Sequence, residues 1–254
     1  MKLTVTHTLT CPLTSPSRAV EHLLLTPVST PQQRVERWSI EMPGFADAAT
    51  FRDGFGNKAY LVSQTRPGET LVVTVTGTVE TIDKAGVLGK LEYDPPSPVF
   101  RRPTELTRPD AELLKDVPTS GGRIALLHEL MGRVNERTAP HQLQGSEGQE
   151  QSAGSADPVE LVHAFIGAAR ALDIPARYVT GYVLGDDGMA NVQAWAEACD
   201  EGLGWIGFDP LLNVCPTEQH IRLASGLDAM GTMPIRMVPV WTQMPNETVE
   251  IVEG

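Results

Sequence analysis

The sequence predicts an α+β protein, with an antiparallel β domain first and a mixed helix-and-strand core after it. Three observations carry this. "ETLVVTVTGTVETI", residues 69–82, alternates apolar and polar side chains, the period of a half-buried strand. "EYDPPSPVFRRPTELTRP", residues 92–109, holds five prolines, which remove backbone donors and favour an extended connection. Beyond it the period becomes helical: in "GGRIALLHELMGRVNERTA", Ile124, Leu127, Met131 and Val134 fall on one stripe. The expected organisation is a β domain over residues 1–90, a connection over 91–109 and a core over 110–254.

In the first part, strands are expected at residues 3–10, 19–26, 35–42, 57–62 and 69–82, each bounded by Pro, Gly or polar clusters. "RDGFGN", residues 52–57, supplies the Asp-Gly and Gly-Asn pairs of a tight hairpin. The opening "MKLTVTHTLTCPLTSP" alternates as a strand does and lacks the apolar run of a secretory signal.

Composition sets bounds on function. With 41% hydrophobic and 20% charged residues, the chain is of ordinary globular character. A formal charge of -12 argues against nucleic acid or an anionic membrane as partner, since phosphate binding needs clustered Lys and Arg. No segment has the 18 or so apolar residues of a membrane span. Cys11, Cys199 and Cys215 are odd in number and lack CxxC spacing, so free thiols and a cytoplasmic location are expected. No metal set is recognisable among the Cys and His, and no Gly-rich phosphate loop is present, so no cofactor is expected.

Residues 141–157, "HQLQGSEGQEQSAGSAD", are polar enough to read as a loop. Then "ADPVELVHAFIGAARALDIPARYVTGYV" opens a helix with unusual clarity. Asp157 suits the N-cap, Pro158 the first helical position, and Glu160 a capping box. The helix should run to about Leu172, stop near Asp173 because Ile174 precedes Pro175, and pass into a strand over 177–184. Leu161, Phe165, Ala168 and Leu172 should face a core, with His163 near them. Further on, "NVQAWAEACDEGLGWIGFDPLLNV" reads as strand, Gly-bearing turn and strand, which would set Gln193 beside Asp209.

"ALDIPARYVTGYV", "AWAE", "GLGWIGFDPLLN" and "HIRLASGLD", in this order, with "QQRVERWSIEMP" and "FRDGFGN" before them, resemble the bacterial transglutaminase-like family over nearly the whole chain. The resemblance implies a papain-like α+β core with a Cys-His-Asp triad: a Cys opening a helix, a His and an Asp on adjacent strands. Each role has a physical reason. A helix N-terminus and a neighbouring imidazolium lower a thiol's pKa, the His relays the proton, and the Asp orients the His.

Carried over residue by residue, the nucleophile position falls on Pro158, the triad His on Gln193 and the orienting Asp on Asp209. His163 takes the position of a helix His in that family, and Trp195 and Trp205 are site-wall or core aromatics. Pro158 offers no nucleophile, and a Gln amide does not titrate near neutrality. Gln193 is therefore expected to hold a hydrogen bond to Asp209 where an imidazole would otherwise stand. Two readings stay open. One is a pseudoenzyme, a binding or scaffolding subunit whose partner is an active transglutaminase-like relative or a peptide or amide ligand. The other is a cysteine-type amidase, peptidase or acyl-transferase with a relocated nucleophile, either Cys199 or Cys215, the latter five residues before His220. Oligomeric state is not legible.

Overall fold

The structure is a computed structural model of the 254-residue chain and describes residues 1–14, 17–118, 120–138, 157–241, 243 and 245–254. The segment expected as a polar loop lies outside the described residues apart from Asp157.

The N-terminal part is antiparallel β: β1 (Lys2–Pro12), β2 (Arg18–Thr26), β3 (Gln33–Glu41), β4 (Ala49–Arg52), β5 (Lys58–Thr65) and β6 (Thr70–Thr81). The expected alternation holds in β6, where Leu71, Val73 and Val75 are buried between exposed or half-buried neighbours. The β4–β5 hairpin forms at "RDGFGN". Asp53 Oδ1 accepts the amides of Phe55 and Asn57, both at 2.9 Å, and Gly56 takes the left-handed φ of 83° that the turn needs.

The second part contains β7 (Val87–Gly89), α1 (Ala111–Leu114), α2 (Arg123–Asn135), α3 (Pro158–Ala171), β8 (Ala176–Leu184), β9 (Ala190–Asp200), β10 (Gly204–Phe208) and β11 (His220–Gly226), and closes with β12 (Ile235–Val238) and β13 (Asn246–Glu253). Three sheets result, of order β13-β1-β6-β3, β12-β2-β5-β4 and β11-β8-β9-β10-β7. The third, backed by α2 and α3, is the papain-like core.

The expected division at residue 110 differs from this topology. β12 pairs with β2 and β13 with β1, so the C-terminal strands complete the N-terminal sheets, while β7 adds an edge to the core sheet. Tyr182, Ile221 and Leu223 of the core sheet also pack into the same apolar cluster as Leu3, Val5, Leu23 and Val73. The Pro-rich connection is not simply extended either. It makes a 3-10 turn at Ser97–Arg101 that buries Phe100 completely, edge-on to Trp205 at 5.1 Å.

In α2 the buried face is Leu127, Leu130, Met131 and Val134. Ile124, expected on that stripe, lies in the first turn and is 38% exposed, so the buried face begins at Leu127. α3 buries Leu161, Val162, Phe165, Ile166 and Ala168 against Tyr178, Ala196 and Phe208 of the sheet. Arg170 fastens this helix in place. Its buried guanidinium donates to the carbonyls of Phe100 (2.9 Å), Ala176 (2.9 Å from Nη2) and Leu227 (2.8 Å) and to Thr107 Oγ1 (2.7 Å). Burial brings its pKa down to about 10, so it stays charged at neutral pH while tying α3 to the connection and to the sheet.

Candidate functional site

The start of α3 is built as its sequence requires. Asp157 is the N-cap and its Oδ1 accepts the Val159 amide at 2.9 Å, with Pro158 at the first helical position. Glu160 makes no return hydrogen bond to the Asp157 amide among the described residues, so the cap is one-sided. Pro158 and its neighbours from 157 to 160 are exposed. The helix ends at Leu172, and Asp173 takes the left-handed φ of 60° that turns the chain into β8.

β9 and β10 pair antiparallel, with Ala196 opposite Phe208 and Asp200 opposite Gly204. Asp200 Oδ1 accepts the amides of Gly202 (2.8 Å) and Leu203 (2.9 Å), and Gly204, at φ 76°, closes the turn. This register carries Asp209 to the level at which Gln193 reaches it: Gln193 Nε2 donates to Asp209 Oδ2. Asp209 is fully buried. Its other oxygen accepts the amides of Leu211 (3.0 Å) and Leu212 (3.1 Å), and its own backbone bridges to Val214.

A third side chain joins the group. His220, at the start of β11, places Nε2 at 3.4 Å from Asp209 Oδ2. Its Nδ1 lies 3.2 Å from the Thr217 amide nitrogen, which can only donate, so the ring proton sits on Nε2 and points at the carboxylate. Trp195 walls the group, its ring edge-on to His220 at 5.4 Å. The indole lies across β8 at Gly181, where a Cβ would collide with it and with the Ile221 carbonyl.

The structure therefore brings together Gln193, Asp209, Trp195 and His220. No hydrogen bond ties Pro158 to them among the described residues. Trp205 belongs elsewhere: it packs on Phe100 and Leu88, with the Arg177 guanidinium 3.9 Å above its ring. His163 is a structural pin. Its Nε2 accepts the Ala229 amide at 3.1 Å, its ring lies 5.0 Å from that of Tyr178, and burial holds its pKa below the ordinary 6.5. In the sequence His220 stands out only as a neighbour of Cys215. Its place on Asp209 depends on the path of the loop over residues 210–219, for which local spacing carries no signal.

The three cysteines are unpaired, and burial raises the pKa of each. Cys11, fully buried among the β strands, is raised to about 11, with Glu21 and Glu247 adding to the effect of burial. No group of three or more His, Cys, Asp or Glu among the described residues could hold a metal ion.

Comparison with known proteins agrees with this architecture. Residues 3–80 match the model of the bacterial transglutaminase-like N-terminal region, and residues 131–210 that of the transglutaminase-like superfamily core. The chain superposes on the crystal structure of a candidate cysteine protease from Cytophaga hutchinsonii with a TM-score of 0.72 at 20% identity, covering 99% of this chain and 90% of that one. An uncharacterized protein of Mycobacterium leprae is 31% identical over 84 residues, which is 30% of this chain and 29% of the relative's length. The core thus has the papain-like, transglutaminase-like fold.

Proposed function

We propose that this protein has lost transglutaminase-like catalysis and acts as a binding or scaffolding subunit, working with an active relative of the same fold or with a peptide or amide ligand. The observation that carries the reading is the pairing of Gln193 with Asp209, with proline at 158, the position to which the family resemblance assigns the nucleophile. The carboxylate that would orient an imidazolium is held instead by four donors: a side-chain amide, two backbone amides and the Nε2–H of His220. Three of the four are amides, which do not titrate near neutrality, and the fourth is aimed at the carboxylate, with no cysteine hydrogen-bonded to His220 among the described residues.

The competing reading, a relocated cysteine nucleophile, needs a thiolate and an imidazole nitrogen free to take a proton. Burial raises all three thiols, which disfavours the thiolate. The one imidazole on Asp209 has both nitrogens engaged, Nδ1 by the Thr217 amide and Nε2 by the carboxylate. Both observations weigh against it. The test is to replace Cys11, Cys199 and Cys215 together by Ser and to purify native and variant protein from the producing cell under mild conditions. We expect the same co-purifying relative in stoichiometric amount and no amidase or peptidase activity in either sample. Turnover that the native protein shows and the folded variant loses would refute the reading.

A further inference from the structure

One cavity lies away from Gln193 and Asp209. It encloses about 500 Å³, within the usual range for small-molecule sites, at the junction of the N-terminal sheets and the core. Its walls include the β4–β5 hairpin and the segment Lys90–Asp94, which leads into the Pro-rich connection. These walls are locked together. A Cβ at Gly56 would stand 2.6 Å from the Tyr93 carbonyl oxygen, so only glycine permits the approach, and the Arg52 guanidinium lies 3.7 Å above the Tyr93 ring.

The floor is Arg222. Its side chain is 7% exposed, and its Nε donates to the fully buried Glu197 at 2.7 Å, while its amide donates to Gln33 Oε1 at 2.8 Å. The head group is thus held at a fixed place. Its Nη1 makes no hydrogen bond to the described residues, and the residue lines the cavity. Of the acids nearby, Glu92 is exposed at the cavity and Glu197 and Asp94 are ion-paired. Glu197 is shared between Arg222 and Arg177, and Asp94 accepts Arg177 Nη1 at 2.7 Å. Burial alone would raise Glu197, but the two guanidiniums hold it below the usual carboxylate range. Lys90, exposed at the rim, adds a second cation. Phe55, Leu91 and Tyr93 supply apolar surface between rim and floor.

We propose that this cavity binds a carboxylate carried on an apolar body, with the anion on Arg222 Nη1 and Lys90 and the apolar part against Phe55 and Tyr93. A preorganised, nine-tenths-buried guanidinium whose Nη1 has no partner among the described residues, its Nε and Nη2 being held by Glu197, is suited to a carboxylate. A small organic acid and the C-terminus of a peptide share this chemistry. The proposal does not depend on whether the chain is catalytic.

Calorimetric titration of the full chain tests it with four probes: N-acetyl-L-phenylalanine, its carboxamide, and a tetrapeptide ending in Phe as free acid and as amide. Each acid should bind at least about tenfold more tightly than its amide, the loss expected when a charge-assisted hydrogen bond is removed. A tighter peptide identifies a chain terminus as the natural ligand, and a peptide no tighter identifies a small acid. Lys90→Ala, on the exposed rim, should weaken acid binding about threefold, and Arg222→Lys by about tenfold or more, because Lys cannot present the same planar edge. Acid and amide binding alike, no binding of any probe at about 10 mM, or acid binding unchanged by Lys90→Ala overturns the proposal, even if Arg222→Lys fails to fold.

Discussion

At Asp209 four donors converge on one buried carboxylate, and that count decides what the residue is worth to the fold. A buried anion is costly unless its lone pairs are satisfied, and a buried donor left without an acceptor costs about 1–3 kcal/mol. Asp209→Ala would orphan the Gln193 amide, the His220 Nε2–H and the amides of Leu211 and Leu212 together. We expect a loss of about 3 kcal/mol in stability, measured by urea unfolding, since part of the group can relax towards water. A loss under about 0.5 kcal/mol would mean that the four contacts do not hold the strand ends together. At this scale the sequence was informative where a residue's partner is fixed by strand register, as for Gln193. It was silent for His220, whose partner lies across an irregular loop.

Elements were legible where their own pattern closes locally. α3 carries cap, first-position proline, apolar face and stop within "DPVELVHAFIGAARALDIP", and the structure gives the helix as Pro158–Ala171. β4, "ATFR", is exposed along its whole length and β7 has three residues, so neither shows an alternation to read. β12 and β13 take their meaning from β2 and β1, more than 200 residues earlier, a pairing that local periodicity cannot indicate. The α3 cap gives a direct test. Asp157→Ala should cost about 1 kcal/mol, while Asp157→Asn, which keeps an accepting oxygen, should be nearly neutral. Thermal unfolding of the two variants reads the difference, and equal losses in both would show that the Val159 amide does not depend on this side chain.

On the scale of the molecule, the first and last strands share sheets, and the core sheet contributes Tyr182 and Ile221 to the N-terminal cluster, so the papain-like half is clamped at both chain ends. A frame closed by strands from both ends does not depend on the identity of two side chains at a site. We therefore predict the outcome of restoring the nominal triad in the whole chain with Pro158→Cys and Gln193→His. Asp209 already receives the side chain at 193, so the new imidazole should find its orienting partner. A thiol at a helix N-terminus has a lowered pKa, and we expect alkylation at about pH 6–7 to be faster than that of free cysteine. Turnover of amide substrates is a further demand. Acyl transfer also needs donors aimed at the developing oxyanion, and the loss of one typically costs about 100- to 1000-fold in rate. "SAD" now stands before position 158, where the resembled family carries Gly-Val, so no such donor geometry is expected to return with two side chains. Reactive thiol without turnover is the predicted result. Robust turnover would reveal a cleft complete but for two residues, and a thiol no more reactive than free cysteine would show that position 158 does not face position 193 and Asp209 at all.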